Sequence, residues 1–257
     1  MKKFAAFIAF GATGLALTSC GGGGSALPPA NGSLWILTAD NKLVSIDKVT
    51  GTLGTPITIT GGAISAIDVD PTNPTVLYGI EGGTNDEYLI SVTATTATAF
   101  FDTAATTFAA GRVGAAYNSA GFVTVTNGNN RYKWDVVSTP FFTVELAFTT
   151  AGASISEIAW AGSTLYGIDF SAANQPSLAT LSGVTVSDYA NKLLGTVVTT
   201  TTNNTGFCVD TAGTAFAVLK TSGGWGLYRV SLSTGSATQV GAFFTLSADA
   251  VSLCPTS

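Results

Sequence analysis

The 257-residue sequence predicts an all-β fold, and three observations carry that prediction. The first is composition. The chain is 46% hydrophobic and 10% charged, holds 40 threonines and 30 glycines, and has a mean hydropathy of +0.41. Such a chain is too apolar for disorder. Rich in Thr and Gly and poor in Lys and Glu, it favours short strands and tight turns over helices. The second observation is an apolar tetrad that returns roughly every 45 residues, a spacing typical of repeat architectures. The third is complementarity between the chain ends. The first repeat lacks an opening strand, and the C-terminus carries a strand with no repeat after it.

The tetrads are Leu34-Trp35-Ile36-Leu37, Leu77-Tyr78-Gly79-Ile80, Phe122-Val123-Thr124-Val125, Leu165-Tyr166-Gly167-Ile168 and Ala215-Phe216-Ala217-Val218. They are apolar on successive residues, as strands buried on both faces require. A polar turn follows each, then an alternating strand: Leu43–Ile46, Tyr88–Val92, Tyr132–Val136, Ser177–Leu181 and Leu227–Leu232. Further turns, clearest at Gly51, Gly183 and Gly235, lead to a last strand, with glycine supplying the positive φ of a hairpin. One short strand precedes each internal tetrad: Ile64–Val69, Val113–Tyr117, Ile155–Trp160 and Gly206–Val209. Its counterpart for the first tetrad is Ala248–Leu253, at the far end of the chain.

Three N-terminal strands and one C-terminal strand complete a fifth unit. The sequence therefore predicts a five-bladed β-propeller over residues 32–257, closed by pairing the C-terminal strand with the N-terminal blade, which leaves the ring no open seam. A membrane β-barrel needs alternating strands of roughly 9–11 residues, and these strands are shorter. A two-sheet sandwich is the competing arrangement.

Residues 1–31 read as an address. Met1-Lys2-Lys3 is basic, Phe4–Leu17 is apolar but short for a membrane span, and Leu17-Thr18-Ser19-Cys20 follows. This order resembles the signal peptide and lipobox of bacterial lipoproteins. The resemblance implies cleavage after residue 19 and an acyl anchor on Cys20, with the membrane as partner. Cleavage would leave 238 residues with a side-chain charge of −7. Residues 20–31, with Gly21–Gly24 and Pro28-Pro29, read as a tether. By the same resemblance, Gly21 after the cysteine favours the outer membrane of a Gram-negative host.

The stretch Leu34-Trp35-Ile36-Leu37-Thr38-Ala39-Asp40-Asn41-Lys42-Leu43 resembles the opening L-Y-A-L-T-x-D-N-x-L of a bacterial family of secreted domains of unknown function. Ile67-Asp68-Val69-Asp70-Pro71, followed by Leu77-Tyr78-Gly79-Ile80, resembles that family's next blade. Trp35 and Asp70 depart from its usual Tyr and Arg. The resemblance implies a propeller outside the cytoplasm and lends no catalytic residue.

Histidine is absent, which excludes Ser-His-Asp and Cys-His catalysis and His-bound zinc. A net charge of −5 argues against nucleic acid as a partner. No phosphate or dinucleotide fingerprint occurs, and no cofactor or metal is expected. Asp68, Asp70, Glu157, Asp210 and Asp249 fall on or beside the innermost strands; carboxylates converging there would bind a sugar or a cation, or serve as acid and base. The alternative is that they cap turns. Trp134, Trp160, Tyr117, Tyr189 and above all Trp225, placed in a loop after Gly223-Gly224, are candidate stacking platforms, against a role in blade packing. Cys208 and Cys254 either form a disulfide across the seam, worth roughly 4 kcal/mol of loop closure, or are buried thiols. The expected function is a lipid-anchored, non-catalytic binding or scaffold module for a glycan, a peptide or an envelope protein. A carboxylate-dependent glycosidase or lyase is the alternative.

Overall fold

A computed structural model describes residues 32–69, 76–81, 86–93, 96–104, 113–118, 122–127, 130–135, 142–172, 174–195, 198–202 and 204–256. Cys20 and Asp70 lie outside them. The described residues form twenty strands and no helix. In chain order these are β1 (Ser33–Thr38), β2 (Lys42–Asp47), β3 (Ile57–Thr60), β4 (Ala66–Val69), β5 (Val76–Ile80), β6 (Asp86–Val92), β7 (Ala97–Ala104), β8 (Val113–Asn118), β9 (Phe122–Asn127) and β10 (Asn130–Asp135). They continue as β11 (Phe142–Ala147), β12 (Ile155–Ala161), β13 (Thr164–Asp169), β14 (Ser177–Ser182), β15 (Thr185–Lys192), β16 (Gly206–Val209), β17 (Ala215–Thr221), β18 (Gly224–Val230), β19 (Ala237–Phe244) and β20 (Ala250–Pro255).

The architecture is all-β and propeller-like. Strands β8–β11, β12–β15 and β16–β19 make three antiparallel meanders of four strands. In the N-terminal region, β20 pairs antiparallel with β1, setting Trp35 opposite Cys254 and Leu37 opposite Ser252. One feature departs from separate blades. Strand β3 pairs with β2 at only two positions, then runs parallel to β7 through Ile59–Ala97 and Thr60–Thr98. The pairing joins β20-β1-β2-β3 and β7-β6-β5-β4 into one sheet of eight strands. Strand β3 has only four residues, whereas the outer strands β11, β15 and β19 end their sheets unpaired among the described residues.

Apolar layers sit between successive groups of four strands. Trp35, Leu37 and Cys254 pack on Ile67 and Ile90; Tyr78 and Ile80 pack on Val125 and Trp134. Ala116 and Phe148 meet Ile158 and Leu165, and Ile168 and Leu178 meet Phe207 and Ala217. Another layer lies between the last strands and the first, where Cys208, Phe216 and Trp225 pack on Leu34, Ile36 and Leu253. The tetrads supply residues to both sides of their sheets, which is why they carry no polar alternation.

Candidate functional site

The strands β4, β8, β12, β16 and β20 gather at the centre. Each packs beside the next, and β20 lies beside both β16 and β4. Two cavities open at their opposite ends. The wider, about 430 Å³, is lined by Asp68, Tyr117, Trp160, Phe207, Cys208 and Asp210, among others, from the ends of these strands and the turns after them. The narrower, about 240 Å³, is lined by Ser65, Val113, Ser156, Asn204, Thr205 and Val251 near the strand beginnings.

Between the cavities runs a waist, one layer of residues contributed by the same strands: Ile67, Gly114, Glu157, Gly206 and Ser252. Close approach explains the glycines. A Cβ on Gly206 would stand 2.6 Å from Leu253 Cβ, and one on Gly114 would stand 3.1 Å from Glu157 Cα. Ser252 Oγ accepts the Ile67 N–H at 3.1 Å and lies 3.4 Å from the Ile67 carbonyl. Glu157 is fully buried here, and neither carboxyl oxygen has a hydrogen-bond partner among the described residues. Burial drives its pKa well above the usual carboxylate range. The nearby charge of Asp68 pushes the same way, and the Ser252 hydroxyl and Ile158 N–H, close but outside hydrogen-bond geometry, only soften the shift.

At the wide mouth, Asp68 is the penultimate residue of β4. Its Oδ1 accepts its neighbour's amide, Val69 N–H, at 2.7 Å, and its Oδ2 accepts Tyr117 N–H. These donors favour the ion, yet withdrawal of the carboxyl from water outweighs them and pushes its pKa up to about 7. Asp210 follows β16 and is committed to structure. Its Oδ1 caps a turn through Ala212 N–H at 3.1 Å and Thr214 N–H at 2.8 Å, and its Oδ2 pairs with Lys48 Nζ at 2.8 Å. The aromatic walls are held in place. The Tyr117 ring stacks on Tyr78 with centroids 5.6 Å apart, and Trp160 Nε1–H donates to Thr124 Oγ1 at 3.2 Å.

Several sequence expectations are corrected. The carboxylates do not converge on one mouth: Asp68 and Asp210 line the wide cavity, Glu157 sits in the waist, and Asp249 lies beyond the narrow end. There Asp249 accepts Lys220 Nζ at 3.0 Å and Asn204 Nδ2 at 3.2 Å. Trp225 is not in a loop. It lies in β18, 3% exposed, inside an apolar layer, because the turn ends one residue earlier than its glycines suggest. Trp134 is likewise buried, and Tyr189 packs between sheets with its hydroxyl donating to the Leu232 carbonyl at 2.6 Å. Cys208 and Cys254 are free thiols. Alternation along β20 separates them: Leu253 faces the layer that holds Cys208, so Cys254 faces the opposite one.

Sequence reasoning missed one acid pair. Asp169, buried at the end of β13, accepts Ser154 N–H at 2.7 Å; beside it, burial and then the Asp169 charge raise Asp188 to about 6. The pairing of β13 and β15 with β14 between them brings the two together, which no local motif announces. Among the described residues no cluster of three acids or thiols could hold a metal ion.

No family model matches the chain, and no curated protein matches it. Solved structures do. A GH43 glycoside hydrolase, engineered to display both endo-xylanase and exo-arabinofuranosidase activity, superposes with a TM-score of 0.53 and 11% identity over 82% of this chain and 54% of that one. TolB from Acinetobacter baumannii gives 0.47 and 13% over 83% and 54%. A streptogramin B lyase gives 0.45 and 14% over 83% and 66%. The chain thus spans between half and two thirds of these proteins. At such identities the likeness is one of fold alone, and the fold it supports is the β-propeller.

Proposed function

We propose that this protein is a lipid-anchored, extracytoplasmic five-bladed β-propeller that acts as a non-catalytic binding module. Pairing of β20 with β1, and an apolar layer between the last strands and the first, support a ring closed by its own C-terminus. The anchor rests on the Leu17-Thr18-Ser19-Cys20 motif. The ligand, a glycan, peptide or envelope protein, would enter the wide cavity.

One observation carries the preference for binding over catalysis. Of the two carboxylates lining that cavity among the described residues, Asp210 is held by Lys48 and its own turn, and Glu157, the acid near Asp68, is buried in the waist and does not line the cavity, so no second free acid faces a ligand there. Carboxylate-only glycoside cleavage needs two. The raised pKa of Asp68 is what favours the enzymatic alternative, since an acid poised near pH 7 suits proton transfer. Two measurements test the proposal. Radiolabelled palmitate should enter the full-length protein in cells and not its Cys20→Ser variant. Full-length protein should show saturable ligand capture without turnover of glycosidic substrates; turnover lost in Asp68→Asn would replace this reading with the enzymatic one.

A further inference from the structure

We propose that the wide cavity binds a neutral saccharide, stacked on Trp160 and Tyr117 and hydrogen-bonded to Asp68. The inference rests on the binding-module reading and gives it a ligand class.

The argument starts from the walls. The lining is mostly apolar, with Ala115, Ile158, Phe207 and Leu253 around the two aromatic rings. Both rings keep partial exposure and are fixed from behind, Tyr117 by Tyr78 and Trp160 by Thr124. A fixed ring loses little freedom when a ligand stacks on it. The C–H faces of a pyranose suit such a surface. Its hydroxyls are donors, and the cavity offers them acceptors on Asp68 and Asp210.

Charge narrows the class further. Among the described residues no Lys or Arg lines the cavity, and the nearest cation, Lys48, is taken by Asp210, so an anion finds no free counter-charge there. Two free carboxylates would suit an amine, but Asp210 is already matched by Lys48 at 2.8 Å. Asp68 shares its proton near neutral pH, which leaves it able to donate as well as accept. A ligand with both donors and acceptors and no charge fits this better than a cation. The volume, about 430 Å³, falls within the range of small-ligand sites.

Fluorescence reads the site directly. Trp35, Trp134 and Trp225 are at most 4% exposed, so Trp160 is the tryptophan that a ligand in the cavity would touch. Full-length protein in detergent is titrated with trisaccharides of β-1,4-linked xylose, glucose and N-acetylglucosamine, then with choline and with trigalacturonate. At least one neutral trisaccharide should give a saturable signal. Trp160→Ala should weaken it about tenfold, and Trp160→Phe, which keeps a ring and the packing behind it, less than about threefold. Asp68→Asn should weaken it about fivefold. Single cooperative thermal transitions for Trp160→Phe and Asp68→Asn exclude misfolding as the cause.

Absence of saturation up to about 10 mM of every neutral trisaccharide, a range that covers weak sugar binding, overturns the saccharide assignment. So does saturation by choline or trigalacturonate alone; the binding-module reading then stands with another ligand. Cleavage of a bound trisaccharide, abolished in Asp68→Asn, overturns the binding-module reading while supporting the saccharide class.

Discussion

The two ends of the central strands share one backbone and differ in what they carry. At the wide end the strands finish in Asp68, Tyr117, Trp160 and Asp210; at the narrow end they begin with Ser65, Ser156, Asn204 and Thr205. Rings and carboxylates line one end, whereas hydroxyls and an amide supply the polar groups of the other. The repeat that builds the centre is blind to this difference. Single residues at strand ends, where packing no longer dictates identity, set it.

The comparison can be broken at several points, with effects of decreasing size. Trp225→Ala should cost about 3–5 kcal/mol of stability by emptying an apolar layer, although Trp225 is no part of either end. Trp160→Ala, at the wide mouth, should cost far less, and thermal denaturation of the pair separates a packing tryptophan from a cavity one. Gly206→Val should cost about 3 kcal/mol, because the new side chain meets the Ser252 and Leu253 backbone in the waist, and it should damage both ends together.

Protonation sharpens the contrast between waist and mouth. Asp68 and Glu157 both have folded-state pKa values above their unfolded ones. Their contribution is fully present below about pH 4 and declines as pH rises, for Asp68 through the window from 3.8 to about 7. Glu157→Gln should abolish the waist's share of that decline. Denaturant titration at pH 8 should find the variant more stable than wild type, because the wild-type carboxyl ionises freely only when the chain unfolds. Equal slopes of stability against pH in the two proteins would refute the upward shift of Glu157.

The ion pairs give the smallest and most pointed comparison. Lys48→Ala strands Asp210, whose side chain is 5% exposed, and should cost about 1–2 kcal/mol. Lys220→Ala acts on a pair exposed by 38% and 32% and should cost below about 1 kcal/mol, less in salt. A reversal of that order would show that the wide end is not the more tightly built.

Much of the sheet plan is legible in the sequence because burial on both faces leaves a plain mark. The tetrads at Leu34, Leu77, Phe122, Leu165 and Ala215 lie in β1, β5, β9, β13 and β17. The site is less legible. Asp68, Asp210, Tyr117 and Trp160 were visible as residues near central strands, but which end each occupies depends on where a strand stops. Glu157 falls in the waist because of the register shift between Ile155 and Glu157, which simple alternation does not foresee. Trp225 departs from the expected loop by a turn boundary one residue off, and strand alternation across β20 decides between the two readings of Cys208 and Cys254 in favour of buried thiols. The β3–β7 pairing joins residues 38 apart, as Ile59 with Ala97, with no local signal at all.

Everything about the two ends depends on a centre completed by β20. Backbone nuclear Overhauser contacts and amide exchange across β1 and β20 test this in solution. The account predicts cross-strand contacts for Trp35–Cys254 and Ile36–Leu253, with amides as protected as those of β17. Missing contacts, with β1 exchanging like an open edge, would contradict it.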